Sequence, residues 1–253
     1  MPFDKTRSVY QYLMDIRKNH GAGFLVLIDP DRSTPLVVTK QAKQCRDAGV
    51  DAILIGASIM MDGGFEEAVE SVKSAVDIPV IIFPGEKSQV TSKADAILFL
   101  SLLSGRNPEF IIGEQVRSAP LIKSIRLEAI STAYLLVESG KTTSVEFMSN
   151  TKPLPHDKPE IALAHAMAAE IFGMKLIYLE AGSGAVRPVP DEMIRVVSSG
   201  VNIPVMVGGG IRTPETVAAK VASGASFVVI GNHLEYSVNM GSLKALVNAA
   251  HRT

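Results

Sequence analysis

The chain has 253 residues, 47% of them hydrophobic, and a formal net charge of −1. That length suits one large domain with a substantial core, and a near-neutral balance without a basic stripe argues against nucleic acid as a partner. The single cysteine, Cys45, excludes an internal disulfide framework and a multi-cysteine metal site; inside the helical stretch 40–48 it reads as a buried apolar thiol.

The N-terminal segment is polar and charged. It reads as an amphipathic helix over about residues 6–19 and has none of the regions of a signal peptide. No apolar run reaches the ~18 residues of a membrane-spanning helix, so a cytoplasmic protein is expected. Eight short apolar runs follow, at 24–29, 51–56, 79–84, 96–101, 133–138, 176–180, 204–208 and 227–231. Runs without alternation mark strands covered on both faces. Helical patterns at 34–48, 65–75, 160–172, 191–199, 214–223 and 241–251 separate most of them. Strand alternating with helix specifies an α/β fold with a parallel sheet. At this length eight repeats give a (β/α)8, or TIM, barrel in one domain, 1–253.

Two connections stand out. Residues 85–95, between the third and fourth runs, are short, polar and weakly periodic, so the third helix of the barrel is expected to be absent or irregular. Residues 139–159 are long and rich in Ser, Thr, Lys and Pro, as functional lids and disordered loops are.

Chemistry in such barrels sits at the C-terminal ends of the strands and in the loops after them. Those ends supply Asp29, Asp31, Ser58, Glu86, Lys87, Ser104, Arg106, Glu138, Tyr178, Glu180, Gly208-Gly209-Gly210, Gly231 and Asn232. The paired glycine turns at 208–210 and 231–232 follow successive strands. Glycine lets a backbone approach a ligand closely, and N–H groups at such turns make an anion site. The pair therefore reads as a phosphate clasp. Asp29 admits two readings. It is a carboxylate positioned with Ser58 for Mg2+, which keeps waters and borrows substrate phosphate oxygens, or it is the cap of a DPDRST turn. Glu180 likewise reads as a base for a hydroxyl near the clasp or as half of an ion pair with Arg187 or Arg212. The histidines are scattered, and His233 alone lies beside a strand end.

With these positions assembled, the chain resembles the geranylgeranylglyceryl phosphate synthases, the archaeal-type ether-lipid prenyltransferase family that includes the bacterial PcrB-like enzymes. The motifs are LIDPD ending at Asp31, IGAS at Ile55 to Ser58, YLEAGSG at Tyr178 to Gly184, VGGGIRTPE at Val207 to Glu215, and IGN at Ile230 to Asn232. GGGIR alone occurs in many phosphate-binding barrels; the five together are specific. The resemblance implies a modified barrel lacking its third helix. It implies Mg2+ at Asp29 and Ser58, and sn-glycerol 1-phosphate held by Tyr178, Leu179, Glu180, Ala181, Gly182, Ser183, Gly184, Gly209, Gly210, Gly231 and Asn232. Glu180 and Asp29 would be catalytic. The implied reaction joins the 3-hydroxyl of glycerol 1-phosphate to geranylgeranyl diphosphate, with release of pyrophosphate. It further implies a homo-oligomer, and a lipid-like product suits transient contact with a membrane surface.

One departure matters: the family often places Lys two residues before the strand-end acid, where this chain has Leu27. Lys87 and Arg106 are the candidate stand-ins for its charge. Apolar surfaces around 81–83 and 98–103 are candidates for a prenyl groove. Other readings are a longer-chain prenylglyceryl phosphate synthase and a sugar-phosphate isomerase or lyase barrel. A flavin-binding barrel and a phosphate- or lipid-binding barrel without catalysis also use such a clasp. No strand ends in Lys, which counts against Schiff-base chemistry.

Overall fold

The structure is a computed structural model that describes residues 3–4, 6–61, 63–231 and 240–251. Eight parallel strands close into a barrel in sequential order: β1 (Gly23–Ile28), β2 (Ala52–Ile55), β3 (Val80–Ile82), β4 (Ala96–Leu102), β5 (Glu128–Leu136), β6 (Leu176–Glu180), β7 (Val205–Gly208) and β8 (Phe227–Ile230). The helices are α1 (Val9–His20), α2 (Pro35–Ala48), α3 (Phe65–Ala75), α4 (Glu114–Ser124), α5 (Ser144–Ser149), α6 (Pro159–Ile171), α7 (Asp191–Gly200), α8 (Pro214–Ala222) and α9 (Met240–Ala250). Among the described residues no helix is long and apolar enough to cross a membrane.

The strands are apolar on both faces because each face has its own core. Outward side chains such as Phe24, Ile53, Leu135, Leu179 and Val207 pack against the helices. Inward side chains such as Leu25, Leu54, Leu98, Tyr178, Met206 and Phe227 fill the barrel. The inner core also takes Val9, Tyr12, Leu13 and Ile16 of α1, so this helix stoppers the N-terminal end. Four such side chains contribute roughly 1.5–3 kcal/mol each on burial. The helix starts at Val9 because Ser8 caps the Gln11 N–H at 3.1 Å and Glu128 accepts from the N–H groups of Val9 and Tyr10.

The connection from β3 to β4 carries one 3₁₀ turn, Lys87–Gln89, in place of a crossover helix. The fully buried Gln89 does the stapling. Its Oε1 accepts from the N–H groups of Ala57 and Gly85, each at 3.2 Å, and its Nε2 donates to the Ala57 carbonyl at 2.7 Å. One amide thus ties together the ends of β2 and β3.

Three features differ from the sequence reading. α4 is absent from the helical patterns read there, since Gly113 and Pro120 interrupt its periodicity; a wide helical turn, Glu109–Gly113, leads into it. β5 begins at Glu128, before its apolar run, because Glu128 is engaged by α1 and Ser131 accepts from Lys175 N–H. The segment 139–159 contains α5, capped by Thr143.

Candidate active site

A cavity of about 770 Å³ opens at the C-terminal end of the barrel. Its polar part is lined by Asp29, Asp31, Ser58, Tyr178, Glu180, Gly182, Ser183, Gly184, Gly209, Gly210 and Gly231. Leu179 and Ala181 are also buried, but their side chains belong to the layer between barrel and helices. Strand alternation separates the two sets: Tyr178 and Glu180 face inward, and their odd-numbered neighbours can offer a ligand only backbone. Asn232 and His233 lie outside the described residues.

Glu180 ends β6, in register with Leu136 of β5 and Gly208 of β7. The missing side chain at Gly208 makes room for the acid, since a β-carbon there would collide with the Tyr178 hydroxyl and Glu180 Oε2. Glu180 Oε1 accepts from Gly182 N–H at 2.6 Å, and the Tyr178 hydroxyl lies beside the same carboxylate, placed to favour its charged form. Burial raises the pKa of Glu180 above the usual carboxylate value, and those two neighbours hold it back. Burial and the nearby carboxylate push Tyr178 and Tyr134 well above the ordinary phenol value, so both stay neutral. The site thus holds an acid kept proton-hungry by its surroundings. The ion-pair alternative takes another form: Arg187 pairs with Glu138 at 2.6 Å, and Arg212 donates to the Ala185 carbonyl at 3.1 Å.

The 208–210 turn meets the 182–184 turn directly beside this acid, whereas Gly231, expected as the other half of the clasp, lies beside Leu27 and its neighbour Asn232 is outside the described residues. Gly209 has φ +84°, and a β-carbon on it would lie 2.5 Å from Glu180 Oε1 and 2.7 Å from Gly182 N. Only glycine fits such an approach. Among the described residues the N–H groups of Ser183, Gly184, Gly209 and Gly210 have no acceptor, which leaves them for an anion. Lys141, in the β5–α5 connection, brings its ammonium over Gly184. No feature of the sequence had pointed to it, because it follows no strand end directly.

Across the mouth, Asp29 Oδ1 accepts from Asp31 N–H at 3.1 Å and caps the turn Pro30–Arg32, as the turn reading expects. Capping leaves it still facing the cavity. Asp31 accepts from Met61 N–H at 2.7 Å, which ties the β1 and β2 loops and sets Asp29 and Ser58 on one wall. Among the described residues no three His, Cys, Asp or Glu side chains cluster as a metal cage. One carboxylate and one hydroxyl are hard oxygen donors, a fit for Mg2+ that completes its shell from water and substrate phosphate. Lys87 lines the cavity, whereas Arg106 is spent on the carbonyls of Leu103 and Gly105 and does not.

Much of the remaining lining is apolar, though Glu86, Glu109, Glu114, Gln115 and Arg212 also reach it. Phe83, Leu98, Leu100 and Leu102 come from inside the barrel, and Ile97 and Phe99 from the outer face of β4. Both faces of one strand line the same space because the β3–β4 crossover helix is missing beside it, and Glu114, Gln115 and Ser118 of α4 close the far side. The groove therefore runs from the mouth over the gap left by the missing helix, with Phe110 and Met148 above it. Phe83, Tyr134 and Tyr178 pack at ring separations of 5.5–5.9 Å where groove and acid meet. Tyr134 was legible only from register: it pairs with Tyr178 across the β5–β6 ladder.

A family model described as the PcrB family matches residues 14–250. The chain belongs to the PcrB family. Among its relatives is the geranylgeranylglyceryl phosphate synthase of Chitinophaga pinensis, 43% identical over 96% of each chain. The protein of that name from Pyrococcus horikoshii is 43% identical over 88% of each. A crystal structure of (S)-3-O-geranylgeranylglyceryl phosphate synthase from Thermoplasma acidophilum, in complex with sn-glycerol-1-phosphate, superposes with a TM-score of 0.92. It is 36% identical and covers 97% of this chain and 99% of its own. PcrB-family membership and the barrel without a crossover helix between β3 and β4 thus agree.

Proposed function

We propose that this PcrB-family chain is a geranylgeranylglyceryl phosphate synthase, transferring a geranylgeranyl group from its diphosphate to the 3-hydroxyl of sn-glycerol 1-phosphate. One observation carries the reading: a buried, hydrogen-bonded acid, Glu180, stands between a pair of glycine turns and an apolar groove. Phosphate clasp, base and hydrocarbon channel are the three parts that this transfer needs. The names of the relatives and the glycerol phosphate in the Thermoplasma acidophilum complex support the same reaction.

In this reading the N–H groups of residues 183–184 and 209–210 take the phosphate of glycerol 1-phosphate. That grip makes the attack effectively intramolecular. Glu180 accepts the proton of the 3-hydroxyl as its oxygen bonds to C1 of the donor. The C1–O bond to diphosphate breaks with its electron pair leaving on the diphosphate. Tyr178, beside the carboxylate, favours its charged form, and Gly182 N–H fixes its Oε1. The groove floored by Leu98, Leu100 and Leu102 excludes water from the reacting carbon. Asp29 and Ser58 would hold Mg2+, which supplies Lewis-acid neutralisation of the leaving diphosphate. Lys87 adds a positive charge on that side in place of the lysine that Leu27 replaces.

The test is turnover. Purified protein given labelled sn-glycerol 1-phosphate, geranylgeranyl diphosphate and Mg2+ is expected to form an organic-extractable product. No product with any prenyl length overturns the reading.

A further inference from the structure

We infer that the C-terminal face of the barrel docks onto the surface of a lipid bilayer. The inference rests on the prenyl-transfer reading and adds where the donor is collected. Large apolar side chains stand exposed around the cavity mouth: Leu36 at 79%, Met61 at 79%, Phe147 at 76% and Val186 at 62% exposure. Each follows the C-terminal end of a different strand, β1, β2, β5 and β6 respectively, so all four lie at one end of the barrel. Among the described residues, the loops at the opposite end show such side chains on one connection alone, at Ile171 and Phe172. Single exposed apolar residues need no explanation, but a ring of them around a groove does.

These side chains are held outward by their backbones. Met61 N–H is bonded to Asp31. Phe147 sits on α5, which is capped by Thr143 at one end and anchored by Asn107 donating to Ser149 O at 2.8 Å at the other. Val186 lies between Ala185 and Arg187, whose N–H groups bond to Gly182 O and Ser139 O. Leu36 is in the proline-started first turn of α2. A pinned apolar ring stays exposed unless something covers it.

The occupant follows from the groove. Its apolar floor opens beside these side chains, since Met61 lines the cavity itself, as does the exposed Met148 next to Phe147. A donor with a long hydrocarbon tail resides in a bilayer with its diphosphate at the interface. A mouth inserted a few ångströms into that interface takes the tail without exposing it to water. Charges on this face are of both signs, with Glu138 paired to Arg187, so docking to neutral lipid is expected without a requirement for anionic headgroups.

The test is flotation of the full chain with phosphatidylcholine vesicles. Wild type is expected to float with the vesicles, and the double variant Leu36→Glu, Phe147→Glu to lose at least roughly fivefold in bound fraction. Phe172→Glu, at the other end, is expected to float like wild type. With vesicle-borne geranylgeranyl diphosphate the double variant should lose activity in proportion to binding. With a short, water-soluble prenyl diphosphate it should match wild type, which also shows that it is folded. Absence of wild-type binding, or equal loss in Phe172→Glu, overturns the proposal. So does a double variant that dissolves an oligomer in sedimentation while still floating, since the ring would then cover a second copy. Failure of transfer with detergent-dispersed donor would instead remove the prenyl-transfer reading, whatever the flotation result.

Discussion

The Tyr178 hydroxyl and the carboxylate of Glu180, two residues further along the same strand, converge on the space above Gly208. In β-structure that spacing puts both side chains on one face, and the absent side chain at Gly208 on the neighbouring strand lets them meet. Their proximity favours charged Glu180 and neutral Tyr178, whereas burial disfavours charge on either.

A base must be deprotonated to act, so wild-type kcat/KM should fall as pH drops through the pKa of Glu180, which burial raises above the ordinary carboxylate value. Tyr178→Phe removes a hydroxyl that lowers this pKa. Its acid limb should therefore move to higher pH. A pH–rate profile decides the matter: an unmoved limb, or one displaced to lower pH, separates Tyr178 from the base. Glu180→Gln should cost about 10²–10⁴-fold in kcat.

The same acid burdens the fold. Its folded pKa lies above the unfolded value, so the native state binds the proton more tightly. The stability advantage is fully present below the unfolded pKa and is lost as pH rises through the folded one. Glu180→Gln should consequently raise Tm in alkaline buffer, with the gain shrinking towards zero as the pH is lowered. Calorimetry across that range checks the sign. Equal Tm values at alkaline pH would mean that the carboxylate is not strained by burial.

Gly209→Ala forces a methyl group to within 2.5 Å of Glu180 Oε1, on a backbone at φ +84°. The cost should be roughly 1–3 kcal/mol in stability. Because the turn also supplies phosphate-binding N–H groups, KM for glycerol phosphate should rise more than that for the prenyl donor. Steady-state kinetics with each substrate varied in turn measures the split.

Asp29→Asn should abolish the response to Mg2+ and lower kcat/KM for the donor by at least roughly 10²-fold, the order expected for losing metal neutralisation of a leaving group. Glycerol phosphate affinity should stay within a few-fold of wild type, as titration calorimetry would show. Equal losses for both ligands would contradict the division of the mouth into two halves.

Gln89→Ala removes the staple that stands where a helix is missing. Two amide N–H groups and a carbonyl lose their partner, at a cost of about 2–4 kcal/mol. For a domain of this size the fall in Tm should be on the order of 5–15 °C, read by thermal unfolding of the purified variant.

Much of this site was legible in the sequence because barrel chemistry gathers at strand ends. Asp29, Ser58, Glu180 and the glycine turns each follow an apolar run, and the polar connection 85–95 announced the missing helix. What stayed hidden depends on partners distant in sequence. Tyr134 looks like core until its register with Tyr178 is known. Lys87 and Arg106 look alike as stand-in cations, yet carbonyls occupy only Arg106. Gln89 reads as a loop amide until the ends of β2 and β3 converge on it. α4 was concealed by Gly113 and Pro120, which interrupt its periodicity.

The central claim is that one pocket grips the phosphate of glycerol 1-phosphate while presenting its far hydroxyl to Glu180. A crystal structure with sn-glycerol 1-phosphate bound measures this most directly. Phosphate is expected against the N–H groups of residues 183–184 and 209–210, with the 3-hydroxyl in hydrogen-bond reach of Glu180. Phosphate lodged elsewhere, or a hydroxyl turned away from that carboxylate, would contradict it.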